Sequence, residues 1–189
     1  KFIFLDNLKS NFSEKDKFKK KVNLIISKSG NTIETILNSS YLINQNKKNI
    51  NIFITEKKNN YLFNLADKLK SEIIEHKNYI GGRYSVLSEV GMLPAELMGL
   101  KASKFKRFNH LINNNNFISQ LICSVESTLK FTRQKKFNSI ILNYDSKSHY
   151  LFCWYQQLVA ESLGKKGKGI LPIISSLPKD NHSVMQLYL

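Results

Sequence analysis

Residues 22–37, VNLIISKSGNTIETIL, decide the fold. The stretch opens on a short apolar run, 22–27 (VNLIIS), too brief for a helix and carrying β-branched residues. It reads as a buried strand. The chain then turns through hydroxyl-bearing residues and a glycine. From about residue 31 to 44 it sets Ile33, Ile36, Leu37 and Tyr41 at helical spacing. The alternation continues outward. Residues 50–55 (INIFIT) are strand-like, 61–70 place Leu62, Leu65, Ala66 and Leu69 on one helical face, and 72–76 (EIIEH) make another short strand. A strand–helix–strand–helix–strand order implies an α/β domain with a parallel sheet and right-handed crossovers.

Residues 1–5 (KFIFL) read as a further strand. After Ser85 the texture changes. Residues 87–100 mix Gly91, Pro94 and Gly99 with apolar side chains, as a broken helical segment at a domain junction would. Residues 105–135 are largely helical in pattern, interrupted at 113–116 (NNNN). A strand at 138–143 (NSIILN), a helix at 148–163 and a strand at 169–175 follow. A second α/β unit therefore starts near residue 95, giving domains 1–95 and 96–189. The turn 164–169 (GKKGKG) is Lys-rich but lacks Walker spacing, and reads as a solvated loop. No repeat at solenoid spacing is present.

The 189 residues suffice for one or two domains with a real core. Apolar residues are 42% and charged residues 23%, ordinary for a soluble chain. No apolar run approaches the ~20 residues of a membrane helix, and no secretory signal pattern opens the chain. Membrane-spanning, collagen-like and wholly disordered classes fall away. The net charge of +15 invites a nucleic-acid reading. Yet only Arg83, Arg107 and Arg133 among the 29 cations are arginine, the residue suited to bidentate phosphate and base contacts. Lys, Asn, Ile, Phe and Tyr are the residues an AT-rich genome over-uses. We therefore take most of the excess as coding bias and solubility, with a smaller share for attraction of an anionic ligand. No nucleic-acid or membrane partner is expected. Cys123 and Cys153 stand 30 positions apart without a CxxC or a nearby His pair. That is neither a zinc pattern nor a disulfide framework. The expectation is two buried thiols in a reducing, cytoplasmic setting.

Four segments carry chemistry. In 27–35 (SKSGNTIET) a buried strand ends in a hydroxyl-rich turn before a helix. Free N–H groups and the positive end of the helix dipole make such a turn a phosphate site. Helix capping alone would need one of its four hydroxyls, on Ser27, Ser29, Thr32 and Thr35. In 81–85 (GGRYS) a glycine pair allows a sharp turn that brings Arg83 either to a pocket, to meet developing negative charge, or simply to solvent. In 156–162 (QQLVAES) Trp154, Leu158 and Glu161 fall at i, i+4, i+7, with Gln157 one turn before Glu161. A carboxylate on that apolar stripe is either at the core rim or functional. His182, in 179–183 (KDNHS), is by itself a loop histidine, and His76, His110 and His149 read as surface or satisfied residues.

Taken in order, SKSGNTIET, GGRYS, QQLVAES and NHSVMQL resemble the phosphoglucose isomerase family along essentially the whole chain. SxSGxTxET is shared by the wider set of sugar isomerase (SIS) domains, whereas GGRYS is far more specific. The resemblance implies three-layer SIS-type α/β domains with parallel sheets flanked by helices. Here these would be part of a first domain (1–95, sugar-phosphate binding) and part of a second (96–189). It implies a dimeric cytoplasmic enzyme of glycolysis and gluconeogenesis that interconverts glucose 6-phosphate and fructose 6-phosphate without metal or organic cofactor.

Residue by residue, the resemblance makes Ser27, Ser29, Thr32, Thr35 and the Lys28 backbone the phosphate ligands. Arg83 would stabilise a cis-enediolate, with Gly82 contacting substrate beside it. Glu161 would move the proton between C1 and C2, and Gln157 would touch substrate next to it. His182 would help open the sugar ring, reaching the neighbouring subunit's site. Asn181 stands where many members carry Gln. The family's Gly-rich segment with a Ser and its C-terminal catalytic Lys have no counterpart in the chain, which therefore reads as a piece lacking both ends. The alternatives are a bifunctional phosphoglucose/phosphomannose isomerase and a non-catalytic sugar-phosphate-sensing SIS module. The latter would have no need of Arg83, Glu161 and His182 together.

Overall fold

A computed structural model describes residues 2–8, 21–45 and 48–189. The chain forms two compact units, Lys1–Phe105 and Lys106–Leu189. Both are α/β, with parallel strands in two small sheets flanked by helices.

In the first unit the order is β1 (Val22–Ile26), α1 (Ile33–Gln45), β2 (Ile50–Thr55), α2 (Tyr61–Lys68) and β3 (Glu72–Glu75). The sheet runs β1-β2-β3, all parallel, with Ile26 opposite Ile54 and Ile54 opposite Ile74. Parallel central strands are covered on both faces and so favour near-continuous apolar runs. INIFIT meets that need: Phe53 and Ile54, neighbours on opposite faces, are both fully buried. Ile25, Phe53, Leu62 and Ala66 form the core, with Ile36, Ile43, Leu65 and Ile73 packed around it. Full burial of a side chain such as Phe53 or Leu62 contributes about 1.5–3 kcal/mol. Of the expected helical face of α2, Leu62, Leu65 and Ala66 pack, whereas Leu69 stands at the helix's C-cap and is exposed.

After β3 the chain makes a short 3-10 helix, Gly82–Leu87, then α3 (Glu89–Leu97). Ser88 caps α3 by accepting from Val90 N at 3.4 Å. Gly91 and Pro94 are both accommodated within this helix, so the segment expected to be broken is a 3-10 turn followed by one continuous helix.

The second unit holds α4 (Asn115–Arg133), β4 (Asn138–Asn143), α5 (His149–Leu163) and β5 (Leu171–Ser176). β4 and β5 pair in parallel, Ile140 opposite Ile173. The asparagine run ends one element and starts the next: Asn114 Oδ1 accepts from Phe117 N at 3.0 Å and caps α4. Gln156 Nε2 donates to Pro172 O at 2.8 Å and ties α5 to β5.

Two local expectations fail. Residues 2–8 form no strand: Phe2, Ile3 and Phe4 are half-exposed, and the segment is held instead by Asn38 Nδ2 donating to Asn7 O at 3.1 Å. Lys1 lies outside the described residues. Cys123 is exposed and Cys153 half-buried rather than both buried, because a two-stranded sheet offers too little area to cover α4 and α5, neither of which buries a residue.

Candidate functional site

The three strands among the described residues of the first unit point their carboxyl ends at one edge, where open α/β sheets bind ligands. Ser27 follows β1, Glu56 follows β2 and His76 follows β3. The turn after β1 is built by its own side chains. Ser27, 7% exposed, bonds Thr32 hydroxyl to hydroxyl at 2.8 Å, and its Oγ also accepts from Gly30 N at 3.2 Å. Ser29 Oγ accepts from Asn31 N at 3.3 Å. Thr32 O accepts from Ile36 N at 3.0 Å, which places Thr32 at the cap of α1. Thr35 stands on the first turn of that helix, half-buried, while Ser29 and Thr32 are exposed. Four hydroxyls are thus gathered at the positive end of a thirteen-residue helix.

Asn60 locks this turn from behind. It is 4% exposed, and its carboxamide uses both ends. Oδ1 accepts from Phe63 N at 2.8 Å and caps α2, while Nδ2 donates to Glu56 O at 3.0 Å and Thr55 Oγ1 at 3.4 Å. Gly30 lies against it with φ +68°, and a Cβ there would overlap the carboxamide. Glycine is required at this position for conformation and for space together. Asn31 Oδ1 adds a second tie by accepting from Tyr61 N at 3.0 Å.

Glu56 is buried beside the turn. It pairs with Lys58 and with Lys28, whose Nζ is 3.6 Å from Oε1. The Lys58 hydrogen bond, then the charges of Lys58 and Lys28, hold its carboxyl below the usual carboxylate range against the opposing effect of burial. The Lys28 side chain also donates to Asn78 O and Ile80 O. Gly82 and Arg83 open the 3-10 helix after that loop, and the Arg83 guanidinium stacks over the Tyr84 ring, 4.6 Å from its centroid. His76 is buried, with Nδ1 3.0 Å from Lys77 O.

The second unit carries the other expected residues. Gln157 Nε2 donates to Glu161 Oε2 at 3.4 Å on α5. Glu161 is exposed, not set into an apolar stripe, because Trp154 and Leu158 on its face are themselves only half-buried. His182 ends a 3-10 turn, Lys179–His182, and is exposed. Asp180 anchors that turn: its Oδ2 accepts from Ser175 Oγ at 2.8 Å and Ser176 N at 2.6 Å at the carboxyl end of β5.

Ser27, Lys28, Ser29, Thr32, Thr35, Gly82 and Arg83 therefore belong to one unit, and Gln157, Glu161 and His182 to the other. The sequence reading missed Asn60, Glu56 and Asp180. Asn60 before an apolar helical run is a capping signal; nothing in the sequence links Glu56 to Lys28. Among the described residues no three His, Cys, Asp or Glu side chains converge as a metal site requires. No helix among them is long and apolar enough to cross a membrane.

A model of the phosphoglucose isomerase family matches residues 7–170. The glucose-6-phosphate isomerase of Methanocaldococcus jannaschii is 34% identical over 177 residues, covering 87% of this chain and 43% of that protein. That of Mycoplasmopsis pulmonis is 33% identical over 176 residues, covering 86% and 41%. The chain thus spans less than half the length of these relatives. A crystal structure of a hypothetical protein from Thermus thermophilus superposes with a TM-score of 0.73 at 25% identity, covering 92% of this chain and 45% of that one.

Gly30→Ala is expected to weaken binding of inorganic phosphate at least tenfold by calorimetry, since Asn60 and the turn must separate. An unchanged affinity would dissociate the turn from the anion. Glu56 gives a pH signature. Its depressed carboxyl contributes stability that is present above the ordinary value of about 4.3 and lost as pH falls through the lower folded value. The melting-temperature gap between the parent and Glu56→Gln should therefore be wide at neutral pH and close in acid. A gap independent of pH would contradict the pairing.

Proposed function

The chain belongs to the phosphoglucose isomerase family, and from that premise we propose that it supplies the phosphate-binding and proton-transfer groups of an aldose–ketose isomerase. The reaction is interconversion of glucose 6-phosphate and fructose 6-phosphate through a cis-enediolate. The observation that carries this reading is the hydroxyl-lined turn capping α1, held by the Ser27–Thr32 bond at the carboxyl edge of the sheet. Ser27, Ser29, Thr32, Thr35 and the Lys28 backbone take the sugar's phosphate. This remote handle orients the reacting carbons and contributes to the transition state without taking part in the chemistry.

Glu161 is the base that abstracts the proton from one carbon and returns it to its neighbour on the same face. Gln157 at its side steadies the carboxylate and the substrate. Arg83 stabilises the charge that develops on the enediolate oxygens, with Gly82 leaving room for the sugar. His182 assists ring opening, from the neighbouring subunit of a dimer. The loop that presents it is fixed by Asp180. The +15 charge favours approach of an anionic sugar phosphate over a narrow range set by the Debye length.

The test is fructose 6-phosphate to glucose 6-phosphate conversion by the complete protein, read through a coupled dehydrogenase. Glu161→Gln should lower kcat by about 10²–10⁴-fold, the usual loss for a general base, with KM little changed. Full turnover in that variant would remove Glu161 from the reaction. Comparable rates on mannose 6-phosphate would widen the substrate range.

A further inference from the structure

Lys28 belongs to the phosphate turn by its backbone, but its side chain works elsewhere. The ammonium has three N–H donors. It donates to Asn78 O at 2.9 Å and to Ile80 O at 2.7 Å, and it faces Glu56 Oε1 at 3.6 Å. These two carbonyls are the last acceptors on the loop before Gly81 and Gly82. The glycine pair brings no side chain that could anchor this stretch. Gly81 makes no side-chain cap to the 3-10 helix that follows, and a Cβ on Gly82 would meet nothing within 4 Å. Arg83 is the next residue. Its backbone is set by residues 78–80 on one side and by the packing of the 3-10 helix against α3 on the other.

The lysine itself is held from both ends. Its carbonyl accepts from Glu56 N at 3.2 Å and from Thr55 Oγ1 at 3.4 Å. Its side chain is 28% exposed and that of Glu56 10%. The bond to Ile80 O is part-buried and that to Asn78 O exposed, so the former is the firmer of the two charge-assisted ties. Downstream, Tyr84 N donates to Gly81 O at 2.9 Å and Ser85 Oγ to Gly82 O at 2.6 Å, so an anchored loop hands on a fixed helix start.

We infer that Lys28 is a positioning residue for Arg83: steadied by Glu56, its ammonium pins the carbonyls of Asn78 and Ile80 and so sets the Gly81–Gly82 hinge from which Arg83 reaches the substrate. One residue thereby couples the phosphate turn to the loop bearing the guanidinium. The inference rests on the proposed role of Arg83 at the enediolate.

A double-mutant cycle in the complete enzyme tests it, with Lys28→Met, Arg83→Ala and the pair. Misplacing a group by about 1 Å can cost roughly 10²-fold. Lys28→Met should therefore lower kcat about 10–100-fold while the competitive inhibition constant of inorganic phosphate moves less than about threefold. On the Arg83→Ala background the same change should cost less than about threefold, because a misplaced arginine and a missing one are equivalent. Lys28→Arg, which keeps charge and donors, should recover part of the rate, and Glu56→Gln should show a smaller loss of the same kind. These two carry the cycle if Lys28→Met does not fold. Losses that multiply on the Arg83→Ala background, or a loss confined to phosphate affinity, would overturn the inference and leave the isomerase reading intact. An Arg83→Ala enzyme of full activity would overturn the inference together with the proposed role of Arg83, whereas absence of turnover in the parent protein would overturn the isomerase reading itself.

Discussion

The contact between Gly30 and the Asn60 carboxamide is the constraint on which the rest of the first unit depends. Asn60 joins three pieces at once: the end of β2 through Thr55 and Glu56, the start of α2 through Phe63, and the turn after β1 through its face against Gly30. A buried amide is costly unless its donors and its acceptor are all used, and here they are. The arrangement therefore has little freedom to relax. With the turn fixed, the hydroxyls of Ser27 and Thr32 meet, and the amino end of α1 opens at the sheet's carboxyl edge.

Around that fixed point the charged groups fall into order. Glu56, buried beside Asn60, holds Lys28, and Lys28 holds the loop that leads to Arg83. A chain of polar contacts thus runs from the core of the sheet to the loop that precedes Arg83. The second unit repeats the device on a smaller scale. Asp180 directs its carboxylate to Ser175 and to the backbone of Ser176, and so fixes the turn that carries His182. In each unit a proposed site residue, Arg83 or His182, stands on a short 3-10 turn; Asp180 ties the second turn to the end of β5, and Lys28 ties the loop before the first.

Much of this is legible in the sequence. INIFIT and NSIILN match β2 and β4 residue for residue, because short β-branched runs bounded by polar residues leave little ambiguity. The hydroxyl turn is legible for the same local reason: strand, glycine and helix cap are adjacent in the chain. The reading fails where tertiary context decides. KFIFL looks like a strand, but residues 2–8 have no strand partner. Glu161 shares a face with Trp154 and Leu158, yet is exposed, since α5 packs chiefly on one strand, β5, of a two-stranded sheet. The Lys28–Glu56 pair joins residues 28 positions apart, and the Lys28–Ile80 bond joins residues 52 apart. No spacing rule reaches either.

The central claim is that the turn at residues 27–35 is the handle for a phosphorylated sugar. Backbone amide resonances of the protein, followed during titration with fructose 6-phosphate and separately with fructose, test it most directly. The account predicts that the amides from Lys28 to Ile33 shift with the phosphorylated sugar and stay in place with the free one. Shifts that leave this turn untouched, or that gather on the lysine-rich loop at 164–169, would contradict it.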